Sequence, residues 1–385
     1  MIIKSLLDTD LYKLTMQQFV FHFSKEENIA EYAFKCRSGE DLREIKDDII
    51  KEVELYKELK FQEDELTYLK SLGFFKDDYI DFLKNIDLYK VDVIVKIVNE
   101  ELVIRILGDW KISILFEVPI LSIVQELYLN KIDFDYSGEV NLDNKIIKIN
   151  QNPDLKIAEF GTRRRASAKW QKHVLIKLKE KTNSILGTSN VMLAKELNLK
   201  PIGTMAHEFF QGMQVLASSM EKSEKEALYA WNKEYGEQLD TALTDIFGMD
   251  YFLEDLSKDL ALMYSGYRHD SGDAIEWGYK LYNKLKSYNI DTKNIKVIFS
   301  DGLNIDKAIK FLKEFEDKFI VVFGIGTNLT NDFDTHKAVS LVIKMVNLNN
   351  RPTAKISDSP GKLMCEDPEY VKRIQEHIKE KTQRS

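Results

Sequence analysis

Cysteine is nearly absent from this 385-residue chain: Cys36 and Cys365 are the two present. Far apart and without metal-type spacing, they give no basis for a disulfide framework. With six histidines they make no convincing zinc set either. Proline is scarce at six, so nothing marks an extended hinge, and no solenoid repeat or low-complexity linker interrupts the chain. Long apolar runs are missing too: Phe319-Ile320-Val321-Val322-Phe323 is far too short to span a bilayer. The start, Met1-Ile2-Ile3-Lys4-Ser5, lacks the apolar run and cleavage site of a signal peptide, so a cytoplasmic location is expected. A net charge of -8 lacks the basic surplus that general nucleic-acid or membrane-surface binding needs.

Several catalytic signatures are also missing. His207-Glu208 begins like a zinc-protease motif, but Gln211 stands where the second histidine belongs. Gly324-Ile325-Gly326-Thr327-Asn328-Leu329 has Leu at the third dinucleotide glycine. No Walker loop and no Gly-x-Ser-x-Gly elbow occurs.

What is present suits a globular protein of enzyme size, 44% apolar and 11% aromatic. The length allows about two to three domains, or one barrel with an added layer. Asp8 or Asp10 can cap a helix beginning near Leu11, and residues 30–36 alternate as a half-buried strand. Residues 41–89 are charged with helical spacing. Val91, Val93, Val95 and then Leu102, Ile104, Ile106 alternate as strands, and 117–131 read as helix. This first third reads as an α+β module.

From about residue 155 one rhythm repeats: short apolar strand, Gly- or Asp-marked end, helix. Seven such units end near Gly161, Gly187, His207, Asp245, Asp270, Asp301 and Gly326. Alternating β and α predicts a parallel α/β fold, and polar residues at every strand end favour a (β/α) barrel over an open sheet. Residues 340–346 alternate again and suit a strand returning to the first module. The expected domains are therefore 1–130, completed by part of 338–385, and a barrel over 131–337.

The strand ends suit a phosphorylated ligand. Arg163-Arg164-Arg165 follows a glycine, and a guanidinium holds phosphate oxygens two at a time. Arg268-His269-Asp270-Ser271-Gly272-Asp273 places a cation beside carboxylates for ribose hydroxyls or Mg2+, while Ser271 or Asp273 can cap the helix from Ala274. Ser300-Asp301-Gly302 and Gly324-Ile325-Gly326-Thr327 are short loops with exposed N–H groups, the usual setting for a phosphate. A lone imidazole, His207, sits in Gly203-Thr204-Met205-Ala206-His207-Glu208, read as a strand end; an extended course there would turn Glu208 to the opposite face.

These segments, with Thr9-Asp10-Leu11-Tyr12-Lys13, Glu159-Phe160-Gly161-Thr162-Arg163-Arg164, Gly187-Thr188-Ser189-Asn190 and Lys355-Ile356-Ser357-Asp358-Ser359-Pro360-Gly361-Lys362, together closely resemble the nicotinate phosphoribosyltransferase family. Each motif alone is weak; eight in order are specific. The resemblance implies an irregular α/β barrel joined to a sandwich built from both chain ends, and a homodimer with shared active sites. It implies conversion of nicotinate and phosphoribosyl pyrophosphate to nicotinate mononucleotide and pyrophosphate, coupled to ATP hydrolysis with Mg2+ through a phosphohistidine matching His207. By the same resemblance Tyr12 of the partner subunit and Phe160 sandwich the pyridine ring, with Ser189, Thr204 and Arg268 around nicotinate. Arg163, Asp270, Asp301, Gly302, Gly326 and Thr327 take phosphoribosyl pyrophosphate. Relatives that use nicotinamide carry an acid where this chain has Ser189, which can donate to a carboxylate. Two other readings stay open: a nicotinamide or quinolinate enzyme, and a non-catalytic barrel sensing a phosphorylated ligand. The role of the Ser357–Lys362 stretch and the group that orients His207 are not legible.

Overall fold

A computed structural model describes residues 1–131, 137–356, 358 and 363–383. They fall into two compact units: Met1–Gly203 with Ile325–Lys344, and Thr204–Gly324 with Met345–Ser385.

In the first unit Asp10 precedes the helix Leu11–Phe23 in extended conformation, but its carboxylate makes no capping bond. Three antiparallel strands follow the expected alternation: β1 (Ile29–Cys36), β2 (Asp92–Val98) and β3 (Glu101–Asp109), with β3 in the middle. Ile104 faces Val95, and Ile106 faces both Val93 and Tyr32. Leu102, Ile104 and Ile106 bury one face, as a period of two requires. Asn99 and Glu100 join β2 to β3 with positive φ at both positions, which matches the twist of a tight hairpin. The helix Glu117–Leu129 is apolar on nearly all sides and almost wholly buried. Parallel strands β4 (Ile157–Glu159) and β5 (Ile185–Thr188) complete this unit. At Gly187 a Cβ would stand 2.0 Å from the Lys200 carbonyl oxygen, so only glycine admits that crossing.

The second unit carries β6 (Thr241–Leu243), β7 (Gly266–His269), β8 (Lys296–Phe299) and β9 (Ile320–Ile325, its last residue counted with the first unit). They lie side by side, parallel and in chain order, with Leu243 opposite Arg268, Arg268 opposite Ile298, and Phe299 opposite Phe323. Parallel neighbours need crossovers, supplied by the helices Ala274–Ser287 and Ile305–Phe315. Phe299 stacks on Phe315 and Phe323 beneath them. Asp273 caps the first crossover helix through the N–H groups of Ile275 and Glu276. β10 (Leu341–Leu348) is divided between the units at Lys344.

The α/β class is as expected, with parallel strands and a separate antiparallel set. One of the seven expected strand ends is not a strand. Residues 202–206 have no regular structure; Pro201 makes an isolated bridge to Thr188, and lacking an N–H it cannot extend the ladder. His207 opens a helix, His207–Leu216, so Glu208 belongs to its first turn rather than to an extended face. The expected domain limits follow strand type, whereas the compact units follow packing; those limits stand as a proposal. No helix among the described residues is long and apolar enough to cross a membrane.

Candidate active site

In the second unit the ends of β6 and β7 and the start of the His207 helix bring three ionisable side chains together, and Lys355 adds a fourth. Asp245 lies two residues beyond β6 and Asp270 one beyond β7. His207 Nε2 is 2.7 Å from Asp245 Oδ1, and Nδ1 is 3.7 Å from Asp270 Oδ2. Lys355 Nζ lies 3.2 Å from Asp245 Oδ2 and 3.9 Å from Asp270 Oδ2. The Ser271 hydroxyl donates to Asp245 Oδ2 at 2.6 Å, and that of Ser300 to Asp270 Oδ1 at 2.8 Å. His207, Asp245 and Lys355 are buried; Asp270 keeps 29% of its side chain exposed.

Burial pushes the His207 imidazole down to about 4; Asp245 and Asp270 pull the other way, and the Lys355 ammonium reinforces the lowering. Burial opposes charge on Asp245 too, yet His207 and Lys355 hold it well below the carboxylate range. Asp245 is thus ionised and can only accept, which places the hydrogen on Nε2 and leaves a lone pair on Nδ1. His207 opens its helix, so the positive end of the helix dipole favours negative charge near it.

Other expected residues of this unit surround that cluster in the chain. Arg268, in β7, donates from Nη1 to the Met205 carbonyl at 3.0 Å. Thr204 donates to the Thr241 carbonyl at 3.0 Å. Asp301 and Gly302 follow β8, and Gly302 takes a φ of +55°, which suits glycine.

In the first unit the N-terminal segment is laced to the end of β5. Leu11 N–H donates to the Ser189 carbonyl, and Val191 N–H to the Thr9 carbonyl. The buried Asp10 carboxylate accepts from Ser189 Oγ at 2.6 Å and from Tyr12 Oη at 2.8 Å. Burial, and then Asp10, push the Tyr12 phenol far above its usual range, so it remains a donor. Ser189 therefore directs its hydrogen at Asp10; donation to a ligand carboxylate requires the hydroxyl to turn. Phe160 is half-buried at the end of β4, and its carbonyl oxygen lies 2.6 Å from where a Cβ on Gly326 would stand. Thr327 begins the short helix after Gly326.

The three consecutive arginines part company. Arg165 is fully buried, bidentate to Asp8 at 2.6 and 2.8 Å and bonded to Glu126 at 2.8 Å. Arg164 donates to the Leu341 carbonyl. Arg163 keeps 39% of its side chain exposed, with Nη1 3.6 Å from Glu117. Lys13 and Lys344 approach the same carboxylate. Burial alone would raise Glu117, but Lys13, Lys344 and Arg163 bring it down to about 2. Burial and Arg163 also lower Arg37.

Asp245, Lys355, Asp10 and Glu117 are not among the site residues expected from the sequence. Asp245 ends one of the strand units, and Asp10 and Lys355 stand inside two of the family-like motifs; Glu117 gives no signal. Of the Ser357–Lys362 stretch, Ser357 and Ser359–Lys362 lie outside the described residues. Asp358 accepts from Met249 N–H at 2.9 Å.

The sequence model described as the nicotinate phosphoribosyltransferase (NAPRTase) family matches residues 155–381, and that of its N-terminal domain matches residues 7–125. A nicotinate phosphoribosyltransferase of Acinetobacter baumannii is 44% identical over 96% of this chain and 95% of its own length. One from Xanthomonas euvesicatoria is 41% identical over 98% and 97%. Among solved structures, a nicotinate phosphoribosyltransferase from Vibrio cholerae superposes with a TM-score of 0.92 at 34% identity, covering 98% of this chain and 94% of that one. Another, from Porphyromonas gingivalis, gives 0.92 at 29% identity, covering 98% and 100%.

Proposed function

The chain belongs to the nicotinate phosphoribosyltransferase family, and from that premise we propose that it transfers the phosphoribosyl group of phosphoribosyl pyrophosphate to nicotinate, releasing pyrophosphate and nicotinate mononucleotide. In this reading the cycle is coupled to ATP hydrolysis through phosphorylation of His207. The observation that carries the coupling is the His207–Asp245 pair at 2.7 Å, with Nδ1 left as the nucleophile. Nδ1 attacks the γ-phosphorus, the bond to the ADP oxygen breaks, and Asp245 stabilises the positive charge that grows on the ring. Water later takes the phosphoryl group, restoring the neutral imidazole. Lys355 and the helix start offset the charge of the phosphorylated ring.

In the first unit Tyr12 and Phe160 are assigned to the pyridine ring, Ser189 to its substituent, and Arg163, Gly326 and Thr327 to phosphoribosyl pyrophosphate. In the second, Thr204 and Arg268 are assigned to nicotinate and pyrophosphate, Asp270 and Asp301 to ribose hydroxyls, and Gly302 to the 5-phosphate. The transfer passes through an oxocarbenium-like ribosyl centre, so positioning and charge stabilisation carry it. A homodimer with Tyr12 shared between subunits is part of the same reading.

His207, Asp245 and Asp270 offer ligand atoms within 4.8 Å of one another. They do not fit a resident Mg2+: one donor is a ring nitrogen, and an ammonium already stands 3.2 Å from Asp245. Mg2+ is accordingly assigned as an ion carried in on the phosphates of the substrates.

One observation favours nicotinamide as a second base. With its hydrogen directed at Asp10, Ser189 presents lone pairs that accept from an amide.

The test is the intact mass of the wild type and of His207→Asn after incubation with Mg2+ and ATP, kept away from acid. One phosphate on the wild type alone, discharged by nicotinate with phosphoribosyl pyrophosphate, is the expected result. No phosphate on either protein, or equal labelling of both, overturns the phosphohistidine. Product formation with nicotinate, nicotinamide and quinolinate, each supplied singly, tests the base.

A further inference from the structure

Glu159 ends β4, is completely buried, and gathers four contacts on one carboxylate. Oε1 accepts from the N–H of Gly161 at 2.5 Å and from Gln171 Nε2 at 3.0 Å. Oε2 accepts from Thr188 Oγ1 at 2.5 Å and again from Gln171 Nε2 at 3.1 Å. Its backbone carbonyl accepts the Ser189 N–H at 2.8 Å. The side chain therefore ties the end of β4, the end of β5 and the helix Ala168–Lys181 at one point. The residues beside these ties are Phe160 and Ser189, both assigned above to the base. At Gly161 a Cβ would stand 2.8 Å from Glu159 Oε1 and 2.0 Å from Thr330 Oγ1, so this turn fits around the carboxylate without slack.

Resting on the proposed function, we infer that Glu159 is a positioning residue for the pyridine base, holding Phe160 and Ser189 in their binding geometry only while its carboxylate accepts from Gly161, Thr188 and Gln171. Glu159 touches none of the groups bonded to His207, so its role is separable from the phosphoryl chemistry by variant. A carboxylate matches this set of donors; a carboxylic acid, or an amide, adds a donor where Gly161 and Thr188 already donate.

The site also has a charge balance that makes its proton readable. Asp10 acts on it from the N-terminal segment, and Arg165, paired with Asp8 and Glu126, is joined to it through Gln171. Burial, with a smaller push from Asp10, raises Glu159 to about 7 against the pull of Thr188, Gly161 and Gln171.

The test is steady-state kinetics of the full-length wild type, Glu159→Gln and Thr188→Val across acid to alkaline pH, with nicotinate varied at saturating phosphoribosyl pyrophosphate. The wild-type KM for nicotinate is expected to rise as pH falls through about 7. In Glu159→Gln it is expected to be about tenfold higher at alkaline pH and flat across the range, with kcat and His207 phosphorylation nearly unchanged. Thr188→Val, which removes one of the contacts, gives a smaller rise and keeps the pH dependence. A Glu159→Gln enzyme with wild-type KM overturns the inference, as does one that loses kcat, KM and His207 phosphorylation together. A wild type that makes no nicotinate mononucleotide overturns the substrate reading and this inference with it; normal wild-type turnover with an unmoved KM in Glu159→Gln overturns the inference alone.

Discussion

His207 Nε2 and Asp245 Oδ1 are 2.7 Å apart, and both groups are buried. Because Asp245 is held ionised, it fixes the ring tautomer as well as its direction. Replacing it with Asn permits the opposite tautomer and removes the charge that supports an imidazolium. Asp245→Asn is expected to slow ATP-dependent phosphorylation of His207 by roughly 10²–10⁴-fold, the range for loss of a general base or a preorganised charge. Quenched-flow labelling with ATP measures this directly. A rate within a factor of two of wild type would leave Asp245 no part in the chemistry.

Lys355 acts on the same ring at one remove. Its ammonium is among the groups that lower His207, so its loss raises the imidazole. His207 is depressed from its ordinary 6.5 to about 4, and phosphorylation needs the neutral ring. In Lys355→Met the acid limb of the phosphorylation rate is therefore expected to move to higher pH. A limb that stays in place, or moves down, contradicts the charge balance described for this cluster.

How much of this is legible in the sequence differs from residue to residue. β1 and β3 follow from alternation, since a strand with one buried face must repeat every second residue; β10 is also a strand, but it buries both faces. Asp273 is legible as a cap because the rule is local. The segment before His207 reads as a strand and is not one, because Gly, Thr and short apolar stretches mark loops between helices as readily as strand ends. Asp245 as the partner of His207 is not legible: the two are 38 residues apart, and only the placement of β6 joins them. The arginine run shows the same limit. Nothing in three identical residues says that Arg165 is structural while Arg163 is half open to solvent.

Arg165 lends itself to a stability measurement. It is the bidentate partner of Asp8 and also bonds Glu126, and all three residues are buried. Arg165→Met leaves two buried acids without their cation, a loss of about 3–5 kcal/mol for a broken buried pair. Thermal or urea unfolding should report a large drop, and the double variant Arg165→Met with Asp8→Asn should recover part of it. Full stability in the single variant would mean that the pair is solvated in the working protein.

Glu159 gives stability a pH dependence of definite sign. Its folded value of about 7 stands above its ordinary 4.5, so the folded state favours the protonated form. The stability it contributes is fully present below 4.5 and is lost as pH rises through 7. A tenfold difference in proton affinity between the folded and unfolded states is worth about 1.4 kcal/mol, so the loss amounts to roughly 3 kcal/mol. Glu159→Gln cannot ionise, so its unfolding midpoint, compared with wild type at each pH, should gain steadily between the two values. Parallel curves would show that Glu159 does not titrate in this window.

Asp10 decides what Ser189 can offer a base. Held by the carboxylate at 2.6 Å, the hydroxyl hydrogen is unavailable to nicotinate unless it rotates. In Asp10→Asn the amide can donate to Ser189, and the hydroxyl hydrogen is then released toward the ligand. The ratio of kcat/KM for nicotinate over nicotinamide should rise about tenfold, the worth of one hydrogen bond to a charged group. Tyr12 loses little, since the amide oxygen can still accept from its phenol. Competition between the two bases in one reaction gives the ratio without separate enzyme standards. An unchanged ratio would mean that neither base is read through the Ser189 hydroxyl, and discrimination would then fall to Arg268 and Thr204.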